Sequence, residues 1–142
     1  MYAKDYARTY RSNSILTASP GQLVLMLFDG ALNALAIART ACDDTSGDPR
    51  RFETIHAQIT KAQKIIAELQ GTLNLEAGGE FARTMYRLYD YYDRRLNEAN
   101  MKKQSAPIVE VERLMGDVRN AWSEMLREKD VTGSAPALHQ VA

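Results

Sequence analysis

The sequence holds a few residue groupings whose types and spacing suit chemistry. Glu53-Thr54-Ile55-His56 contains the Glu-x-x-His step that carboxylate-bridged di-metal bundles use twice, and only one copy is present. At 100° per residue Glu53 and His56 also turn away from the apolar stripe through Phe52, Ile55 and Ile59, whereas such a site needs ligands that project inward. An exposed helical histidine has the chemistry to accept a phosphoryl group, so His56 leaves a histidine-phosphotransfer bundle as an alternative. Asp90 and Asp93 stand at helix spacing among tyrosines, with nothing in the sequence that marks them as an acid–base pair. Gly78-Gly79 lacks the rest of a phosphate-binding loop and reads as a loop and helix start, and no serine or cysteine pairs with a convincing base. The expectation is a protein without enzymatic activity, metal or cofactor.

The elements that would position a site are helices. A chain of 142 residues is near the commonest domain size and supports one core. Ser19-Pro20-Gly21-Gln22 supplies a cap, a first-turn proline and a capping-box glutamine for a helix to about Asp43. After a turn at 44–47, Asp48 and Pro49 read as the cap and first residue of a second helix that Gly71 can terminate. Its stripe is Phe52, Ile55, Ile59, Ala62, Ile66 and Leu69. A third helix follows Gly78-Gly79 with the stripe Phe81, Met85, Leu88, Tyr92, Leu96 and Ala99. Ser105 caps a fourth, whose stripe is Ile108, Val111, Met115, Val118, Trp122 and Met125. Each helix has roughly 20 residues, about 30 Å, and the linkers are short, so the fold class is all-α: an antiparallel up-down-up-down four-helix bundle. The expected divisions are an N-terminal capping segment (1–18) packing on the bundle, the bundle itself (19–128), and a mobile tail (129–142).

Composition narrows the partners. Eighteen basic and eighteen acidic residues cancel, and no basic run points to nucleic acid or anionic lipid. The longest apolar run, Leu23 to Phe28, is far shorter than the roughly 20 residues of a spanning helix, so no membrane insertion is expected. A lone Cys42 and an N-terminus without a signal-peptide apolar stretch fit a reducing cytoplasm.

The anomaly is an excess of apolar surface. In the first helix Val24, Leu27, Ala31, Leu35 and Ala38 form one face, but Leu25 and Leu32 flank it on one side and Met26 and Ile37 on the other. Only a narrow polar strip with Asp29, Asn33 and Thr40 remains. Ile65, Tyr86, Tyr89, Tyr91, Val109 and Leu114 also fall beside or away from their stripes. Deep burial of the first helix is the plain explanation; grooves for an amphipathic partner helix, or a homodimer face, are the others. Tyr2, Tyr6 and Tyr10, spaced by four, would share one side of a short helix that either packs permanently on the bundle or leaves when a partner arrives.

The residues that break the simple pattern resemble the flagellar secretion chaperone family FliS over roughly residues 6 to 125. The resemblance lies in Leu-Thr-Ala-Ser-Pro at 16–20, Leu-Met-Leu-Phe-Asp-Gly-Ala at 25–31, and Leu-Asn-Leu-Glu-Ala-Gly-Gly-Glu at 73–80. It continues in Leu-Tyr-Asp-Tyr at 88–91, Arg-Arg-Leu-Asn-Glu-Ala-Asn at 94–100, Glu-Val-Glu-Arg-Leu at 110–114 and Ala-Trp at 121–122. Tyr92 stands where Met is common and Phe28 where Tyr is common.

This resemblance implies an antiparallel bundle that binds the disordered C-terminal segment of flagellin in the bacterial cytosol, prevents premature polymerisation and aids delivery to the flagellar type III export gate. Tyr6 and Tyr10 match N-terminal tyrosines that cover a hydrophobic pocket until the partner displaces them. Asp29 and Gly30 match an Asp-Gly pair in which the glycine permits close approach, and Asp90 matches the family's Tyr-Asp-Tyr element. Related proteins also bind the anti-sigma factor of late flagellar genes, which the resemblance admits as a second partner alongside an export-gate component. Together with the excess apolar residues it gives the expected partner-binding set: Tyr6, Tyr10, Leu25, Met26, Leu32, Ile37, Ile65, Tyr86, Tyr89 and Leu114.

Overall fold

The computed structural model describes residues 19–132, with side chains to residue 129. Four helices occupy this span: α1 (Pro20–Asp43), α2 (Arg51–Gly71), α3 (Gly79–Lys102) and α4 (Ala106–Thr132). No strand occurs among the described residues. Each helix packs on its chain neighbours and α4 closes back on α1, so the order around the bundle is the order in the chain. Paired side chains give the antiparallel sense: Asp29 meets Arg119 and Arg39 meets Glu112, the numbers rising on α1 as they fall on α4. The up-down-up-down bundle is therefore present.

Local chemistry sets the helix ends. The Ser19 hydroxyl accepts from the Gln22 amide at 3.2 Å, and the Ser19 amide donates back to Gln22 Oε1 at 3.3 Å, completing the capping box at the start of α1. The other end of α1 is closed from a neighbouring helix: Arg51 donates to the Ala41 carbonyl at 2.9 Å and to that of Cys42 at 2.6 Å, satisfying carbonyls that a helix C-terminus leaves bare. The second helix starts later than its sequence signals suggest. Asp48 Oδ1 accepts from the Arg50 amide at 2.9 Å, a side-chain turn that holds Pro49 and Arg50 outside the helix, which begins at Arg51. At the C-terminal end α4 runs to Thr132, past residue 128.

The α1 core seam is Gly21, Val24, Phe28, Ala31, Leu35, Ala38 and Cys42, alternating steps of three and four. Phe28 takes the place in this seam that the sequence reading gives to Leu27, which is only half-buried. Two other corrections concern first turns. Phe52 and Phe81, expected in the core, are 58% and 50% exposed: Phe52 sits in the opening turn of α2, ahead of its first buried residue Ile55, and on α3 the buried seam runs through Ala82, one position on from Phe81. The Arg51 guanidinium covers the Phe52 ring at 5.1 Å. Conversely Tyr89, expected beside the stripe of α3, is 4% exposed, its ring 6.4 Å from that of Phe28 and 6.0 Å from that of Tyr92. Burial pushes the phenols of both tyrosines up, that of Tyr92 to about 12.

The seams differ in character. Small core residues, Ala31, Ala34 and Ala38 on α1 and Ala62 on α2, let these two helices lie closest together. Between α2 and α3 a polar ladder recurs every seven residues of α2. Gln70 donates to Asp90 Oδ1 at 2.9 Å, Gln63 donates to Asn97 Oδ1 at 2.7 Å, and His56 Nδ1 lies 2.9 Å from Asn100 Nδ2. Between α3 and α4 the Glu110 carboxylate accepts from Arg95 at 2.6 Å and from the Tyr91 hydroxyl at 2.9 and 3.0 Å. Trp122 Nε1 donates to the Gly21 carbonyl at 2.9 Å, tying α4 to the first turn of α1.

Two outcomes are expected. The Arg95 guanidinium, followed by the Tyr91 hydroxyl, holds the Glu110 carboxyl below its ordinary value of 4.5. A depressed folded-state value means stability that is fully present above the ordinary value and lost as pH falls through the lowered one. Thermal melts should therefore weaken with acid only below about pH 4.5, and less steeply in Glu110→Gln. The Tyr92 hydroxyl is buried without a protein partner, a state that costs about 1–3 kcal/mol. Tyr92→Phe should raise the melting temperature by a few degrees.

Candidate partner-binding surface

Of the 24 residues of α1 only Asp29, Arg39 and Asp43 carry charge. Two of these are drawn toward α4: Arg119 donates to both Asp29 oxygens, at 2.8 and 3.3 Å, and Arg39 donates to Glu112 at 2.7 Å. Hydrogen bonding to the carboxylates raises both guanidinium pKa values, which keeps the charges fixed in these pairs. The strip of α1 that faces outward between α2 and α4 therefore carries few charges, and two of them are paired.

Two hollows lie along this strip, each of about 680 Å³. The first is lined by Leu23, Met26, Leu27, Asp29, Gly30 and Asn33 of α1 and by Glu68 and Thr72 of α2. The second, toward the other end, is lined by Ala36, Ile37, Arg39, Thr40, Ala41 and Asp43, with Asp44 and Thr54. From Leu23 to Ala41 the strip runs roughly 27 Å at 1.5 Å per residue, the length of about five helical turns. Its centre is apolar and its margins polar, the anatomy of a protein-binding face.

The structure brings together only part of the expected set. Met26 lines the first hollow and Ile37, 40% exposed, lines the second. Ile65 is half-buried against the core, with its Cδ1 beneath Gly30. Leu25 and Leu32 are half-buried and lie toward α4, on the side of Asp29 and Arg39. Tyr86 is exposed on α3 beside Gln70, and Leu114 lies one turn along α4 from Glu110, so neither borders the hollows. Tyr89 is reached only through a narrow crevice of about 10 Å³ that it lines with Phe28, Phe81 and Trp122. Tyr6 and Tyr10 lie outside the described residues.

Leu23, Leu27, Gly30 and Asn33 were missing from the set. The signal for them was the strict alternation from Gly21 to Cys42, which rotates the core seam onto Phe28 and turns Leu27 outward. Gly30 was expected to permit close approach of a neighbouring helix. A Cβ there would meet only the Ile65 Cδ1 at 3.4 Å, ordinary contact with a side-chain tip, so no neighbouring backbone requires the glycine.

Glu53 and His56 are exposed on α2, not turned into the bundle as a di-metal site needs, and no three His, Cys, Asp or Glu residues group as a metal site among the described residues. The His56 ring is on the surface, as the phosphotransfer alternative expects, with its Nδ1 2.9 Å from Asn100 Nδ2. By length and composition α1 could cross a membrane, but its seam residues are core of the bundle.

These placements separate two substitutions. Ile65→Asp forces a carboxylate against the core and should cost about 2 kcal/mol or more, read as a lower melting temperature. Met26→Asp, on the rim of a hollow, should change stability by no more than about 0.5 kcal/mol.

Comparison with known proteins supplies the context for this face. The family model described as flagellar protein FliS matches residues 2–129. The chain is 38% identical over 127 residues to the flagellar secretion chaperone FliS of Bacillus subtilis strain 168, covering 88% of this chain and 90% of that protein. It is 38% identical to the Salmonella typhimurium chaperone of the same name, covering 86% of this chain and 87% of the relative. Identity to the Escherichia coli K12 protein is 34%, over 89% of this chain and 93% of the relative. With four antiparallel helices and a match across nearly its whole length, the chain belongs to the FliS family of flagellar secretion chaperones.

Proposed function

We propose that this protein is a non-enzymatic cytoplasmic chaperone that binds the disordered C-terminal segment of flagellin and covers it until export. The observation that carries the reading is the long outward strip of α1, sparse in charge, with two hollows whose walls include Leu23, Met26, Leu27 and Ile37. A helix-forming segment of an unfolded chain suits such a strip, because its apolar side gains neighbours there that the free segment lacks. Ordering a disordered segment costs several kcal/mol, so useful affinity needs a large apolar contact rather than one pocket. The strip provides that length.

The N-terminal segment fits the same scheme. As the family resemblance implies, Tyr6 or Tyr10 would cover apolar surface of the bundle before the partner arrives. Such a cover would scale the apparent affinity down to the fraction of chains that are open.

Isothermal titration with the C-terminal segment of flagellin from the same genome tests the proposal. Binding is expected for the native chain, and Met26→Asp should weaken it about tenfold or more while the melting temperature holds. A native chain that takes up no flagellin segment would overturn the assignment.

A further inference from the structure

Gly30 is the eleventh residue of α1, deep in a helix where glycine is a poor choice compared with alanine. Two reasons internal to the fold could keep it there, and neither holds. A left-handed backbone could demand it, but the positive-φ glycines are Gly47 and Gly79. A lack of room could demand it, but an added Cβ would meet only the Ile65 Cδ1, at 3.4 Å. The folded chain therefore has space for alanine at this position, and the reason for glycine lies outside the isolated protein.

Gly30 opens onto the first hollow, where Leu23, Met26 and Leu27 supply apolar walls. Ile65 of α2, whose Cδ1 an added Cβ would touch, lies against the glycine. The neighbouring Asp29 also lines the hollow, with its carboxylate paired to Arg119 of α4. A hole of this kind, apolar at its base and bordered by Asn33, Glu68 and Thr72, accepts one large side chain from a facing helix, as a knob enters a hole.

We infer that Gly30 is a specificity-determining residue: its missing side chain creates the hole that receives one large apolar residue of the flagellin segment. This rests on the flagellin reading above. Calorimetry with the flagellin C-terminal segment, combined with thermal melts, tests it in three chains: native, Gly30→Ala and Gly116→Ala. Gly116 is the control, a glycine inside α4 whose Cβ would meet nothing within 4 Å and which does not line the hollow.

Both alanine variants should melt higher by about 2–4 °C, since each removes an interior helix glycine. Only Gly30→Ala should bind more weakly, by about tenfold, because a methyl in the hole overpacks the incoming side chain. Alanine scanning of the large apolar residues of the flagellin segment should then find one whose truncation abolishes the difference between native and Gly30→Ala chains. A lower melting temperature for Gly30→Ala would show that the fold itself needs the glycine and would overturn the inference. Equal binding by native and Gly30→Ala chains, or no coupled residue in the segment, would also overturn it while leaving the chaperone reading intact. Failure of the native chain to bind would remove both.

Discussion

A helix in a ring of four has two close neighbours and one side facing outward, so it can bury only part of its circumference in its own bundle. In α1 that constraint meets a sequence with three charged residues in 24, two of which are drawn sideways into pairs with α4. The inner seam from Gly21 to Cys42 satisfies the fold. What remains outside is a strip with few charges, and the other features of the surface follow from where α2 and α4 leave it open.

The distribution of polar contacts reinforces this division. Alanines draw α1 and α2 together through apolar contact, whereas α2 and α3 are joined by an amide and imidazole ladder, and α3 and α4 by the Glu110 cluster. Directional bonds of this sort fix helix register, since a slip of one turn would leave every rung unpaired. The most apolar helix is thus held in a frame whose other seams set its orientation. Its outward side can stay adaptable because register does not depend on it.

Much of the fold was legible in the residues. Capping signals at Ser19, the glycines near 78 and 79, and stripes through Ile55, Ile59, Leu96 and Met115 placed four helices and most of the core. The errors share a physical cause. Periodicity says which side of a helix is apolar but not where packing begins, so Phe52 reads as core although burial on α2 starts at Ile55, and Phe81 reads as core in place of its buried neighbour Ala82. It also blurs residues one position apart: Leu27 and Phe28 differ by 100°, and the wrong choice hid the lining of the first hollow. Tyr89 shows the reverse error, since a wide stripe on α3 takes in both Leu88 and Tyr89 and the larger ring fills the core. Gly30 reads from the sequence as a close-approach glycine, whereas in the folded chain an added Cβ would meet just the Ile65 side-chain tip.

Trp122 is the single tryptophan of the chain, and its indole is buried where α4 crosses the opening turn of α1. Indole emission shifts with the polarity around the ring, so this one residue serves as a built-in optical gauge of whether that corner of the bundle is shut or wet. Any event that loosens the first turn of α1 would be visible as colour in an unlabelled sample, without a dye or a second tryptophan to confuse the signal.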